Sequence, residues 1–183
     1  MKVGIVPIGQ VDTAILRRIK DNLEQIFPET ACKVIAEKMP LLDRAFDKKR
    51  RQYRSNVILS EIQAFAAEKS YLDRVLGVVD VDIFVPELNF VFGEASCPGK
   101  AALVSLFRLR PEFYSASADE AVFLARAVKE AVHELGHTLG LRHCPRVLCV
   151  MHFSNSIFDT DKKQSLFCDD CYFQAALSLS NMG

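Results

Sequence analysis

The chain opens with KVGIVPI at positions 2–8, a continuous apolar run of the length a buried strand needs. The period then changes. Ile15, Ile19, Leu23 and Ile26 recur every three or four residues, which predicts an amphipathic helix over 12–27 that stops at Pro28. CKVIAEK at 32–38 predicts a second strand, and the basic stretch DKKRRQYR at 47–54 a solvated connection. Ser55 is then placed to cap a helix running to about Glu68. Three further strands are predicted at 74–84, 89–96 and 101–109, the last two forming a hairpin across Pro98-Gly99 that leaves an edge strand available. Ser117 and Glu120 match a capping box. Beyond them Ala121, Leu124, Val128, Ala131, Val132, Leu135 and Leu139 mark the buried face of a long helix over about 118–139, with Gly140 as its stop. Mostly irregular chain follows, then a last helix at about 169–179. No internal repeat and no low-complexity segment interrupts this order.

Length and composition narrow the class. With 183 residues the chain suits one domain, or a domain with a small lobe, and can bury a proper core. Half of its residues are hydrophobic and a quarter charged, which excludes a disordered or collagen-like chain. Its 23 basic residues balance 23 acidic ones, so no overall charge steers it toward nucleic acid or a membrane surface. The longest apolar runs, such as VLGVVDVDIFV at 75–85, are broken by aspartates and fall short of the roughly 20 residues of a membrane helix. The N-terminus starts directly on strand-like residues, and neither a signal peptide nor a pro-segment is expected. The expected location is therefore the cytoplasm, where six cysteines read as thiols or metal ligands rather than as a disulfide framework.

The stretch 131–151, AVHELGHTLGLRHCPRVLCVM, concentrates three of the four histidines, two of the six cysteines and a methionine. His133 and His137 are four apart on the predicted helix, so both imidazoles leave one face about one turn apart and can share an ion, for which zinc is the natural choice. Glu134 stands where its carboxylate reaches a zinc-activated water instead of the metal, the general base of the HExxH arrangement. Gly140 allows the backbone to reverse through a positive φ angle, bringing His143 back as a third ligand and leaving one position open for catalysis. Cys144 and Cys149, followed by Cys168 and Cys171, are two thiol pairs suited to a closed tetrahedral zinc site, with disulfides or free thiols as the other reading.

HELGHTLGLRH at 133–143 resembles the zinc motif of the metzincin metallopeptidases, and Met151 stands where their Met-turn methionine would lie beneath the metal. Cys-x4-Cys-x-Met directly after His143, then Cys-x2-Cys with 16 residues between Met151 and Cys168, is similar to the archaemetzincin family. The match is specific over about 133–171. It implies an α/β (α+β) metzincin-like zincin fold: a mixed five-stranded sheet with an active-site helix over 1–139, and a small zinc-stapled C-terminal subdomain over 140–183. It also implies two zinc ions, one catalytic and one structural. The structural ion would staple a tail too poor in apolar surface to fix itself, since thiolate-zinc bonds contribute on the order of 10 kcal/mol in small domains.

The expected activity is hydrolysis of peptide bonds in peptides or unfolded proteins, by a monomer with no nucleic-acid or membrane partner. A rival reading is a zinc-stabilised peptide- or protein-binding module with little or no hydrolysis, and Glu134 discriminates the two. By the metzincin analogy the strand at 101–109 would bind an extended substrate by adding it to the sheet. Arg108 and Arg110 would then either influence which peptides fit or simply be solvated edge charges. Cys32 and Cys97 read as small apolar residues in or beside strands, Cys97 with a second reading as a group approaching the catalytic metal. His152 is a donor near the ligands, a substrate contact or a packing residue.

Overall fold

The computed structural model describes residues 1–27 and 29–181; the expected helix stop at Pro28 lies outside them. Strand β1 (Lys2–Ile8) leads into α1 (Thr13–Ile26), capped by the Asp12 side chain, which accepts from the Ala14 amide at 2.8 Å. The predicted second strand is shorter, β2 (Ala31–Val34). The basic connection is no plain loop: β3 (Phe46–Asp47) and β4 (Gln52–Arg54) pair antiparallel around a turn in which the Asp47 carboxylate accepts the amides of Lys49 and Arg50. Helix α2 (Ser55–Glu68) follows, and Ser55 is its first residue rather than its cap. The Ser55 hydroxyl is buried and donates to the carbonyl of Phe84 instead.

Aspartates at 80 and 82 split the predicted strand 74–84 into β5 (Arg74–Val79) and β6 (Ile83–Phe84), which belong to different sheets. Of the predicted 89–96 strand only β7 (Gly93–Ala95) is regular, and 101–109 shortens to β8 (Ala101–Ser105) before short 3₁₀ helices. The main sheet has the order β2-β1-β5-β8-β7, with β7 antiparallel and its neighbours parallel, giving the expected mixed five-stranded sheet. The edge is therefore β7, and β8 lies inside between β5 and β7. A strand whose five residues are all buried could not have stayed at a wet edge.

Alternation along the strands sends side chains to two cores. Val3, Ile5, Leu76, Val78, Ala102 and Val104 pack against α1 and α3 (Glu120–Thr138). Val6, Ile8, Val75, Val79 and Leu103 pack against α2. Asp119, not Ser117, caps α3, accepting the Val122 amide at 3.0 Å. The chain after α3 contains a short α4 (Ile157–Lys162) besides the expected last helix, α5 (Asp169–Ser180).

Ionic contacts fasten α4 to α3. Arg126 grips the Asp161 carboxylate through two nitrogens at 2.7 Å each, and Lys129 donates to the carbonyls of Thr160 and Asp161. Lys163, 1% exposed, pairs with Glu130, 2% exposed, at 3.0 Å, and the Thr160 hydroxyl donates to the same carboxylate. Such a buried pair holds only if its remaining groups are satisfied, which the hydroxyl and the His152 carbonyl 3.4 Å from Lys163 provide. No described helix is long and apolar enough to cross a membrane.

Candidate metal centre

The C-terminal half of α3 carries His133 and Glu134, then His137 one turn on, beneath the open edge of β7. After α3, Gly140 takes φ +90° and its amide donates to the His137 carbonyl at 2.8 Å, as expected for a left-handed helix stop. The reversed chain brings His143 back to the pair: its ring centroid is 5.3 Å from that of His133 and 4.9 Å from that of His137. One ring nitrogen from each of the three falls within 4.8 Å of the others.

The hydrogen bonds of the first two rings fix their chemistry. Nδ1 of His133 lies 2.8 Å from the Val150 carbonyl and Nδ1 of His137 lies 2.7 Å from that of Leu141. A carbonyl only accepts, so both Nδ1 atoms carry the proton and both Nε2 atoms present bare lone pairs. Those Nε2 atoms are 3.1 Å apart. Two lone pairs so placed repel unless a cation lies between them, and ligands about 2.0 Å from a tetrahedral zinc stand roughly 3.3 Å apart. Burial, the largest cause at each of the three rings, lowers their pKa and favours the neutral imidazole that binds metals. The residues present fit zinc.

Glu134 is 5% exposed, and burial, reinforced by Glu130, raises its carboxyl well above the usual range. No hydrogen bond from a described residue holds it. Packing does. A β-carbon on Gly93 would lie 2.5 Å from both Cγ and Oε1 of Glu134 and 2.6 Å from the Leu103 carbonyl oxygen, so only glycine lets strand and carboxylate meet. Gly136 does the same beneath the helix, where a β-carbon would stand 2.5 Å from Sδ of the fully buried Met151. That contact places Met151 directly under the helical turn bearing the two histidines.

The four cysteines also gather. Their sulfurs lie within 4.8 Å of one another, with Cys144 and Cys168 3.8 Å apart. That is far beyond a disulfide bond and equals the roughly 3.8 Å edge of a tetrahedron with zinc-sulfur bonds of about 2.3 Å. Burial pushes the thiols of Cys149 and Cys171 up; at Cys168 burial acts the same way, but hydrogen bonds from the Cys171 amide and the neighbouring thiols bring it down. Four thiolates together need a cation. The cluster is tied to the histidine site through the backbone: Cys144 follows His143, its amide donates to the Met151 carbonyl at 2.9 Å, and its carbonyl lies 3.0 Å from Nδ1 of His152. His152 thus braces the turn and does not line the cleft.

Above the histidines lies a cleft of about 410 Å3, lined by Phe90, Phe92, Gly93 and Ala95 on the strand side and by Glu130, Arg142 and Phe153 opposite. The Ser105 amide donates to the Phe92 carbonyl and the Ser96 amide to that of Ala101, so by the register Phe92, Glu94 and Ser96 bond inward to β8, which leaves N–H and C=O of Gly93 and Ala95 facing the open edge. The open edge beside the histidines is therefore β7, not 101–109. Arg108 is held by Asp82 at 2.6 and 2.7 Å and Arg110 by Asp80, and neither lines the cleft. Their expected influence on peptide choice is not supported. Cys97 lines the cleft rim with Sγ 3.5 Å from the Leu141 carbonyl, and Cys32 is buried in β2. Sequence reasoning missed Gly93, Gly136, Arg142 and the Lys163–Glu130 pair. The signal for Gly136 was its place inside HELGH; Gly93 had only its position before the hairpin.

Comparisons with known proteins agree with this geometry. The model of peptidase family M54 matches residues 7–176. An archaemetzincin of Methanocaldococcus jannaschii is 43% identical over 171 residues, covering 93% of this chain and 90% of that one. The crystal structure of the archaemetzincin of Methanopyrus kandleri superposes with a TM-score of 0.84 at 37% identity, covering 98% of this chain and 96% of the other. That of a zinc-dependent peptidase from Methanocorpusculum labreanum gives 0.86 at 27% identity, covering 94% and 99%. These relationships do not favour the binding-module reading. The chain belongs to peptidase family M54, the archaemetzincins, and is a zinc metallopeptidase.

Proposed function

We propose that His133, His137 and His143 hold the catalytic zinc, that Glu134 is the general base and then the general acid, and that Cys144, Cys149, Cys168 and Cys171 hold a second, structural zinc. The observation that carries the first assignment is the pair of bare Nε2 atoms facing each other at 3.1 Å, each imidazole locked by a backbone carbonyl behind it. When bound, zinc supplies a Lewis acid for the scissile carbonyl and lowers the pKa of a water from about 15.7 toward about 7.

The chain's own residues do the rest. Gly93 and Ala95 offer the outward N–H and C=O groups that dock an extended peptide along β7. Glu134, on the cleft side of α3, takes the proton released as water attacks and delivers it to the departing amine. Burial raises its carboxyl pKa, which favours the protonated form needed when it acts as the acid. Met151 supports the helix from below, and Gly140 turns His143 into place.

The substrates are peptides or unfolded chains, as a cleft bordered by a single open strand edge suits extended backbone. The enzyme works as a cytoplasmic monomer without nucleic acid, a reading that its balanced charge supports. Residues 140–183 act as a subdomain whose zinc steadies the third histidine. Metal analysis with a peptide-library digest tests these assignments together. The parent should carry two zinc ions per chain and cleave; Glu134→Ala should keep both ions and lose cleavage. Cleavage surviving in Glu134→Ala would remove Glu134 from the mechanism.

A further inference from the structure

Arg142 is the one basic side chain lining the cleft among the described residues. Its guanidinium makes no hydrogen bond and no ion pair with any of them. The surrounding arginines are different: Arg108, Arg110, Arg126 and Arg146 are each held by an aspartate. Nor is Arg142 carried on a loose segment. Leu141 before it is 1% exposed, donates its amide to the Gly136 carbonyl at 3.2 Å, and accepts from Nδ1 of His137 and Sγ of Cys97. After it, His143 is packed between its partner histidines and Phe153, whose ring centroid is 4.8 Å away. A fixed backbone thus presents a free head group.

The contact between Leu141 and Cys97 sets Arg142 near the end of β7 that runs from Ala95 to Cys97. A peptide lying along Gly93 and Ala95 must pass or end beside it. The other charged groups in the cleft, setting the imidazoles aside, are the carboxylates of Glu94, Glu130 and Glu134, of which Glu130 is already neutralised by Lys163. An acidic group beside Glu94 meets like charge; beside Arg142 it meets a planar fork that binds a carboxylate through two parallel hydrogen bonds.

Resting on the peptidase reading, we propose that Arg142 is a carboxylate-binding subsite of the cleft and sets the position at which substrates carry a negative group. That group is either an acidic side chain or the C-terminal carboxylate of the peptide, which are chemically the same ligand. Arg142 so acts on specificity, beside the ligand His143 and without joining the chemistry.

The experiment measures equilibrium binding of labelled peptides to zinc-loaded Glu134→Gln protein, where turnover does not interfere. One series is acetylated and amidated with a single Glu moved through each position, one neutral peptide has a free C-terminus, and the reference is neutral at both ends. The expected result is that one Glu position, or the free terminus, tightens binding about tenfold over the reference. Which of them does so identifies the source of the carboxylate. In Arg142→Gln that preference should vanish, in Arg142→Lys it should fall to a few-fold because the fork is lost, and in Arg142→Glu it should pass to Lys at the same position. Zinc content and thermal melting of each variant confirm an intact fold. A flat Glu scan with no gain from the free terminus overturns the proposal, as does a preference that survives Arg142→Gln. Cleavage of the same peptides by the parent enzyme is read separately: no cleavage with the preference intact would sink the peptidase reading and leave this one standing.

Discussion

Replacing Gly93 by alanine exchanges one hydrogen for a methyl group, yet the geometry gives that carbon nowhere to go. It would lie 2.5 Å from Cγ and from Oε1 of Glu134, where ordinary contact begins at about 3.5 Å. One of the two sides must retreat by about 1 Å. The same carbon also stands 2.6 Å from the carbonyl oxygen of Leu103, a residue paired between β5 and β7 in the sheet, so β7 must yield there and has no room to back away from Glu134 toward β8. Glu134, with no hydrogen bond to hold it, takes the larger displacement. A misplacement of about 1 Å costs on the order of 100-fold in rate, or about 2.7 kcal/mol of transition-state stabilisation, within the range a general base contributes. The assay is hydrolysis of a quenched fluorogenic peptide, with zinc content and melting temperature measured on the same samples. The loss should fall chiefly on kcat, with two zinc ions retained, since no histidine is among the atoms nearest the added carbon. Gly93→Ala protein that keeps its zinc and stays within threefold of the parent kcat would refute the claim that this contact places the base.

The other expected outcomes concern the supports of the site. Cys144→Ser should reduce zinc from two to one per chain, lower the melting temperature and depress kcat/KM through the neighbouring His143; inductively coupled plasma mass spectrometry with a peptidase assay checks it. Lys163→Met leaves the Glu130 carboxylate buried without its cation and should cost about 3–5 kcal/mol in urea denaturation. The double variant with Glu130→Gln should recover much of that loss, and equal destabilisation in both would show that the pair is not the cause. In native zinc-loaded protein at pH 8, iodoacetamide should label Cys97 alone: Cys97 is exposed, whereas burial holds the Cys32 thiol up at about 12 and the other four sulfurs are proposed to be metal-bound. Peptide mapping that found Cys32 labelled as fast as Cys97 would contradict that assignment of burial.

What could be read from the sequence follows the range over which each interaction acts. The β1 and α1 boundaries and the course of α3 rest on local periodicity, and they emerge nearly as expected, as does the mixed five-stranded sheet that the family resemblance implies. The errors lie where long-range packing overrides local pattern. The run at 74–84 is apolar enough for one strand, but Asp80 and Asp82 break it to bind Arg110 and Arg108 from a distant segment. Ser55 has the chemistry of a cap, yet β4 runs straight into α2 and the hydroxyl turns to Phe84, 29 residues away. The hairpin at 93–105 was visible; which of its strands forms the edge depends on β5, and no local signal carries that.

The site divides in the same way. The two groups of side chains that could hold a metal are legible because helix and turn geometry fix which of them can meet within a short stretch: i and i+4 on α3, then a glycine reversal, then paired cysteines. What prepares those groups for chemistry comes from far along the chain. His133 is oriented by the carbonyl of Val150, Glu134 is seated by Gly93, and Glu130 is neutralised by Lys163. Each of these contacts spans between 17 and 41 residues and leaves no spacing rule to search for. They also tie the two proposed cation sites to each other. Val150 and Met151, which orient and support the helical histidines, follow Cys149 directly, and the Met151 carbonyl accepts a hydrogen bond from the Cys144 amide. A metal that closes the sulfur cluster therefore fixes the strand of chain behind the imidazoles, so loss of the structural ion should weaken the catalytic one even though no ligand is shared. Titrating the Cys144→Ser protein with zinc and finding the histidine site filled at the parent's affinity would show the two to be independent.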